Sequence, residues 1–262
     1  MNWLEALFLG VLQGLTEFLP VSSSGHLVIS QNLLGIHEPQ LFFDVLVHAG
    51  TLTAVLTYYR KLIFRHTLGC FRKDGQESKR LLLMIIAASI PTGLIGVLFQ
   101  DFFESMFASP LSVGFFWLIT GIALVLVPKL KQGDGEIETI RIPDALLVGV
   151  AQGLAILPGV SRSGATIIAG MSRGIHPRAA ADFSFLISIP AIIGATFLQF
   201  RKVETVTSSE WGVYFLGFLS AAVVGYAAIA LLINMLKRRK IQPFGWYCIA
   251  AGVLTIIWLG LL

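Results

Sequence analysis

Ionisable and hydroxyl side chains are concentrated in two short segments of an otherwise apolar chain. Residues 13–26 contain Glu17, a run of three serines and His26, and residues 157–166 contain Arg162 between two serines. An ionisable group at membrane depth costs about 2.5–3.5 kcal/mol on insertion scales, and it is therefore a functional hypothesis by default. Arginine can bind phosphate oxygens, and carboxylate, imidazole and hydroxyl groups can transfer protons or attack phosphorus.

The serine and glycine clusters are typical of a phosphate-binding loop. Each cluster precedes a predicted half-helix, so hydroxyls, backbone N–H groups and the positive end of a helix dipole can face an anion. Small residues also let membrane helices pack closely, and for serine or glycine alone that structural role is favoured. The candidate substrate-binding residues are Gln13, Ser22, Ser24, Gly25, Ser161, Ser163, Gly164 and Thr166.

The two segments resemble one another, but their ionisable residues do not match. When residues 10–27 are aligned with residues 149–166, glycine, glutamine and serine positions coincide. The mismatched pairs are Glu17 with Ile156, His26 with Ala165, and Ser23 with Arg162. Each half supplies what the other lacks, which predicts one composite site where the halves meet. The structural alternative is a buried ion pair that holds the halves together, although such pairs contribute little net stability.

Composition places this site in a membrane. The 262 residues are 55% hydrophobic and 13% charged, whereas a soluble domain is roughly 45–50% apolar and about 25% charged. The two cysteines are a poor basis for a metal or disulfide site. The net charge of +4 is interpreted as a record of cytoplasmic loops, with no nucleic-acid partner expected.

Apolar periodicity predicts an all-α polytopic membrane protein with six spanning helices. These cover residues 41–59, 81–100, 111–127, 183–200, 211–236 and 243–262. Two further apolar regions, 2–34 and 143–174, are interrupted by proline, serine and glycine and are predicted to form re-entrant hairpins of two half-helices. An odd number of crossings separates the hairpins. The chain is therefore expected to be a single domain of two inverted repeats, at about 1–128 and 143–262.

The basic residues predict the orientation of these repeats. Sixteen of the 19 Lys and Arg residues fall in four loops that this topology places on one side, the predicted cytoplasmic face. Both termini are then outside. Asp44, His48 and Asp182 are weaker candidates, because a position at the interface or at a helix start explains them equally well.

Two stretches resemble the signature motifs of bacterial undecaprenyl-diphosphate phosphatases, the bacitracin-resistance family. They are Q-G-L-T-E-F-L-P-V-S-S-S-G-H (13–26) and L-P-G-V-S-R-S-G-A-T (157–166), and residues 42–57 and 179–190 also resemble the family. The resemblance spans nearly the whole chain. It implies hydrolysis of the lipid diphosphate to the monophosphate carrier for cell-wall synthesis. It also implies a bacterial plasma (inner) membrane location and a site open to the periplasmic or extracellular side.

The resemblance also assigns residues to roles. The family's Glu/Gln-x-x-x-Glu motif falls on Gln13 and Glu17, and its serine, histidine and arginine fall on Ser23, His26 and Arg162. The catalytic set is therefore expected to be Glu17, Ser23, His26 and Arg162, with a divalent cation, Mg²⁺ or Ca²⁺, held partly by Glu17. Glutamine at position 13 leaves one carboxylate where some members have two, which weakens its role as a metal ligand.

Three modes of attack and one rival function stay open at this point. Ser23 activated by His26, His26 itself, or water activated by Glu17 or His26 could attack phosphorus. The rival is a transporter or flippase of a phosphorylated polyprenyl lipid, since inverted repeats with broken helices are common in transporters. A nucleophile and a base beside an arginine fit a hydrolase better. A homodimer is also a possible assembly.

Overall fold

The protein is described from a computed structural model that covers residues 1–36, 40–129, 133–200, 210–238 and 240–260. Within these ranges the chain forms twelve α-helices and two short 3₁₀ turns. The helices are α1 (Trp3–Phe18), α2 (Ser23–Leu33), α3 (Leu41–Tyr58), α4 (Arg60–Cys70), α5 (Gln76–Leu98), α6 (Gln100–Phe107), α7 (Pro110–Leu126), α8 (Ile142–Leu154), α9 (Arg162–Ser172), α10 (Pro177–Phe200), α11 (Glu210–Lys237) and α12 (Gln242–Gly260).

Several of these helices can cross a membrane. Four are long and apolar enough to do so, namely α5, α10, α11 and α12, and α6 with α7 forms a fifth candidate whose two parts meet at 103°. The remaining predicted span lies on α3, an apolar helix that is shorter than these four. The chain is therefore an all-helical, multi-pass membrane protein. The six predicted spans fall largely on α3, α5, α7, α10, α11 and α12, but the predicted span 81–100 crosses the break between α5 and α6. Residues 261–262 lie outside the described residues.

The two predicted broken regions each fold as a pair of short helices. In the first, α1 ends before Pro20, and Ser22 caps the N-terminus of α2, where its hydroxyl accepts the Gly25 N–H at 3.3 Å. In the second, Ser161 caps the N-terminus of α9, where its hydroxyl accepts the Gly164 N–H at 3.1 Å. Serine at this position satisfies a backbone donor that the helix leaves free, which explains why each half-helix restarts there.

Each hairpin packs against a long helix from the other half of the chain. Helix α1 lies on α11 and α8 lies on α5. A Cβ atom on Gly10 would collide with the backbone of Gly217, and one on Gly149 would collide with the backbone of Ala88. Glycine at these two matched positions therefore permits the same close approach in both halves. The largest buried side chains between the helices include Phe18, Phe183 and Phe185.

The tips of the two hairpins touch one another. The Gly159 N–H donates to the Ser22 hydroxyl at 3.1 Å, and the Ser163 hydroxyl donates to the Leu19 carbonyl at 3.3 Å. Both tips also rest on α7, where the Trp117 indole N–H donates to the Val21 carbonyl at 2.8 Å. The predicted meeting of the two serine-rich segments is thus observed, with α7 as their common support.

Two helices lie where only loops were expected. The basic segment 60–80 contains α4, and residues 100–107 form α6. Helix α4 exposes Phe64 and Leu68 beside its basic residues. That mixture of apolar and basic side chains is typical of a helix in the interface region of a membrane.

Candidate active site

Glu17 is the centre of the contact between the two hairpin tips. It lies in the last turn of α1 and is only 8% exposed. Its carboxylate accepts three hydrogen bonds: 2.5 Å from the Ser23 hydroxyl, 3.0 Å from the Gln13 amide and 2.6 Å from Nη2 of Arg162. The sequence-predicted combination of Gln13, Glu17, Ser23 and Arg162 is therefore assembled around one carboxylate.

Arg162 forms an ion pair with Glu17 and still has a free donor. Its Nη2 is on Glu17, whereas its buried Nη1 has no hydrogen-bond partner among the described residues. Buried polar atoms are almost always hydrogen-bonded, so such an atom calls for an explanation. A guanidinium can bind two acceptors with its planar fork, and a phosphate oxygen suits the free position. The ion pair is therefore better explained as part of an anion site than as a clamp alone.

Gln13 has a free acceptor in the same place. Its amide nitrogen donates to Glu17, and its buried Oε1 has no partner among the described residues. The amide cannot be reversed without placing two oxygens face to face. An acceptor oxygen beside a carboxylate suits a hard cation, which prefers oxygen ligands.

Ser23 is placed for nucleophilic chemistry. It is the first residue of α2, half-buried, and its hydroxyl points its proton at the Glu17 carboxylate. A hydroxyl that donates to a base is the arrangement of an activated nucleophile. The N-terminus of α2 favours an anion at this position. The N-terminus of α9, which begins at Arg162, also favours an anion.

His26 is not hydrogen-bonded to Ser23. Its Nδ1 is 2.7 Å from the Ser22 carbonyl oxygen, and its Nε2 is 2.6 Å from the Tyr247 hydroxyl. The base that contacts Ser23 in this structure is Glu17. This pairing was not among the three modes of attack left open by the sequence, one of which was Ser23 activated by His26. Sequence reasoning missed Tyr247, which lies on α12, is 221 residues away and belongs to no motif.

The other predicted substrate-binding residues mostly build the loops. The hydroxyls of Ser22 and Ser161 accept helix N–H groups, Ser163 donates across the tips, and Thr166 donates to the Arg162 carbonyl at 2.8 Å. Ser24 is half-buried beside Ser22, at 3.3 Å between the hydroxyls, and Gly25 and Gly164 are buried. Direct contact of these residues with substrate stays a prediction, since their present partners are protein atoms.

The weaker acidic candidates lie outside this contact. Asp44 accepts the Gln31 amide at 2.9 Å, and His48 donates from Nδ1 to the Asp44 carbonyl at 2.7 Å. Asp182 accepts the Tyr59 hydroxyl at 2.7 Å and pairs with Arg178, which is a structural arrangement.

The donor set fits a cation only if substrate supplies further ligands. Within the described ranges, no group of three His, Cys, Asp or Glu side chains could hold a metal ion. Glu17 and the free Oε1 of Gln13 offer oxygen ligands from two side chains that are hydrogen-bonded to one another. Mg²⁺ is commonly bound by one or two carboxylates together with substrate phosphates. The residues present therefore fit a cation that binds together with a diphosphate.

The chain is similar to one known protein family over most of its length. Residues 6–254 match the family model of the bacitracin resistance protein BacA. An undecaprenyl-diphosphatase of Halothermothrix orenii is 42% identical over 267 residues and covers 100% of both chains. One of Carboxydothermus hydrogenoformans is 43% identical over 98% of this chain and 97% of its own. Undecaprenyl-diphosphatase 3 of Bacillus cereus is 41% identical over the same shares. The chain therefore belongs to the bacitracin resistance protein BacA family.

Proposed function

We propose that this protein hydrolyses undecaprenyl diphosphate to undecaprenyl phosphate and inorganic phosphate. This reaction recycles the lipid carrier for peptidoglycan synthesis and confers bacitracin resistance. The observation that carries the proposal is the Glu17 carboxylate, which binds the Ser23 hydroxyl and an arginine whose Nη1 is free. Relatives that share 41–43% of their residues over nearly their whole length are undecaprenyl-diphosphatases.

The geometry supports Ser23 as the nucleophile. The terminal phosphate binds Nη1 of Arg162, which offsets the charge that develops on the phosphoryl oxygens. Ser23 Oγ attacks phosphorus as its proton passes to Glu17, and the bond from phosphorus to the bridging oxygen breaks. Undecaprenyl phosphate leaves with that oxygen. Water then cleaves the phosphoserine, and inorganic phosphate is released with Ser23 restored.

A divalent cation, Mg²⁺ or Ca²⁺, belongs to this proposal. Glu17 and the Oε1 atom of Gln13 are the residues that would hold it. When bound, such an ion neutralises diphosphate charge and polarises the phosphoryl group. The chain's own residues orient the phosphate and accept the proton from Ser23.

We also propose the inverted-repeat architecture with six crossings. Matched glycines support it, because Gly10 and Gly149 approach α11 and α5 in the same manner. Helices α7 and α12 add a reciprocal contact in which Gly114 opposes Gly252 and Gly121 opposes Gly245. The basic loops then face the cytoplasm of a bacterium, and the site opens toward the periplasmic side. Cys70, in the basic segment, tests this orientation: an impermeant thiol reagent should label it only from the cytoplasmic side.

Phosphate release tests the activity. Purified protein is incubated with a long-chain polyprenyl diphosphate, with and without a chelator, and Ser23→Ala is compared with Ser89→Ala. Ser89 is a matched control because its hydroxyl, among the described residues, donates to the carbonyl of Ile85 on the same helix. We expect release that depends on the cation and is lost in Ser23→Ala alone. Specific lipid binding without release by the wild type would contradict hydrolysis and favour a flippase.

A further inference from the structure

His26 has a fixed hydrogen-bonding pattern. The partner of Nδ1 is the Ser22 carbonyl oxygen, at 2.7 Å. A carbonyl oxygen only accepts hydrogen bonds, so Nδ1 must carry the proton. In the neutral imidazole the lone pair is therefore on Nε2, and the Tyr247 hydroxyl, at 2.6 Å, donates to it. The only atom of His26 that can gain a proton is thus bonded to Tyr247.

The His26 ring is also held by aromatic contacts from two helices. Trp117 on α7 meets it edge to face with the centroids 4.9 Å apart, and the Tyr247 ring on α12 is parallel to it within 4° at 5.7 Å. The same Trp117 indole anchors the hairpin tip through Val21. The packed pair of α7 and α12 therefore forms a platform for the imidazole.

His26 and Ser23 lie on one face of α2. His26 follows Ser23 by three residues in α2, and residues at this spacing share one face of a helix. If its Nε2 lone pair were free, His26 could compete with Glu17 for the proton of Ser23. The Tyr247 hydroxyl occupies that lone pair, while Glu17 accepts the Ser23 hydroxyl.

We propose that Tyr247 is a positioning residue that fixes the orientation of His26 and occupies its Nε2 atom, which leaves Glu17 as the base for Ser23. This inference rests on the proposed hydrolysis and refines it. Tyr247 comes from the last helix, so the site depends on a third part of the chain besides the two hairpins. Because it acts through His26, its loss should affect the chemical step more than substrate binding.

The test is Tyr247→Phe, which keeps the stacked ring and removes only the hydroxyl. Tyr226→Phe on α11 is the matched control, because its ring meets Tyr58 edge to face with the centroids 5.4 Å apart. We expect kcat for phosphate release to fall about tenfold in Tyr247→Phe, the effect of one lost hydrogen bond, with KM within about twofold. Tyr226→Phe should match the wild type.

A second readout does not depend on activity. In protein labelled with ¹⁵N-histidine, the His26 signals are assigned by their loss in His26→Gln. Tyr247→Phe should move the Nε2 signal toward that of a pyridine-type nitrogen without a hydrogen bond, and should leave the Nδ1 signal in place. An unchanged Nε2 signal, or a raised KM with unchanged kcat, would overturn the proposal. Absence of phosphate release by the wild type would contradict hydrolysis itself, whereas the ¹⁵N result would still report on the contact.

Discussion

Arg162→Lys isolates the contribution of the free guanidinium nitrogen. In the wild type, Nη2 binds Glu17 at 2.6 Å while the buried Nη1 is available to a phosphate oxygen. Lysine carries the same charge on one nitrogen, so it cannot donate to Glu17 and to a phosphate oxygen with the geometry of the guanidinium fork. One charge-assisted hydrogen bond is worth about 1.5–3 kcal/mol. Because the Arg162 side chain is 14% exposed, little is subtracted for solvent screening.

This energy corresponds to a fall in kcat/KM of about 10–150-fold. The assay is phosphate release from a polyprenyl diphosphate at saturating Mg²⁺, after size-exclusion chromatography has shown that the variant is folded. Arg173→Lys is the control, since Arg173 forms a 2.7 Å pair with Asp144, in which the arginine is half-exposed, at the ends of α8 and α9 away from the hairpin tips. If both variants lost activity equally, or if Arg162→Lys lost less than threefold, the role assigned to Nη1 would be wrong.

Three further outcomes follow from the packing and the site. Gly10→Ala should lower the thermal midpoint, because the added Cβ collides with Gly217, at a cost of about 1–3 kcal/mol. Gly93→Ala has open space and should not lower it; equal effects would contradict the close packing of α1 on α11. Trp117→Phe removes the 2.8 Å hydrogen bond to the Val21 carbonyl at the first hairpin tip, and should lower the free energy of unfolding by about 1 kcal/mol. The measurement is a denaturant titration, and an unchanged midpoint would contradict this expectation. Chelation should stop phosphate release, and Mg²⁺ or Ca²⁺ should restore it; release that persists with chelator would exclude the cation.

The contact between the two hairpin tips could be predicted from sequence because its signals are local. Glu17, His26 and Arg162 stand out in apolar surroundings at positions where the two repeated segments differ. Proline, glycine and serine mark the breaks in both hairpins, and the structure places the breaks there. Local residue types and the repeated segments were therefore sufficient to predict that the two tips meet.

The contacts of His26 could not be predicted in this way. They depend on how α12 packs on α7, which places Tyr247 beside α2 across 221 residues of sequence. No spacing or motif records that contact. Helix α4 was missed for a different reason: its basic residues were interpreted as a loop signal, although basic and apolar side chains can share a helix at a membrane surface. A homodimer stays a prediction.

Phosphate release by Glu17→Gln tests the central claim most directly. The substitution keeps the shape of the side chain and removes the charge that binds both Ser23 and Arg162. Loss of a general base lowers rates by about 10²–10⁴-fold. We expect a fall in kcat of at least about 100-fold for undecaprenyl diphosphate in a folded variant. A Glu17→Gln protein that retained activity within tenfold of the wild type would contradict the assignment of Glu17 as the base at the centre of the site.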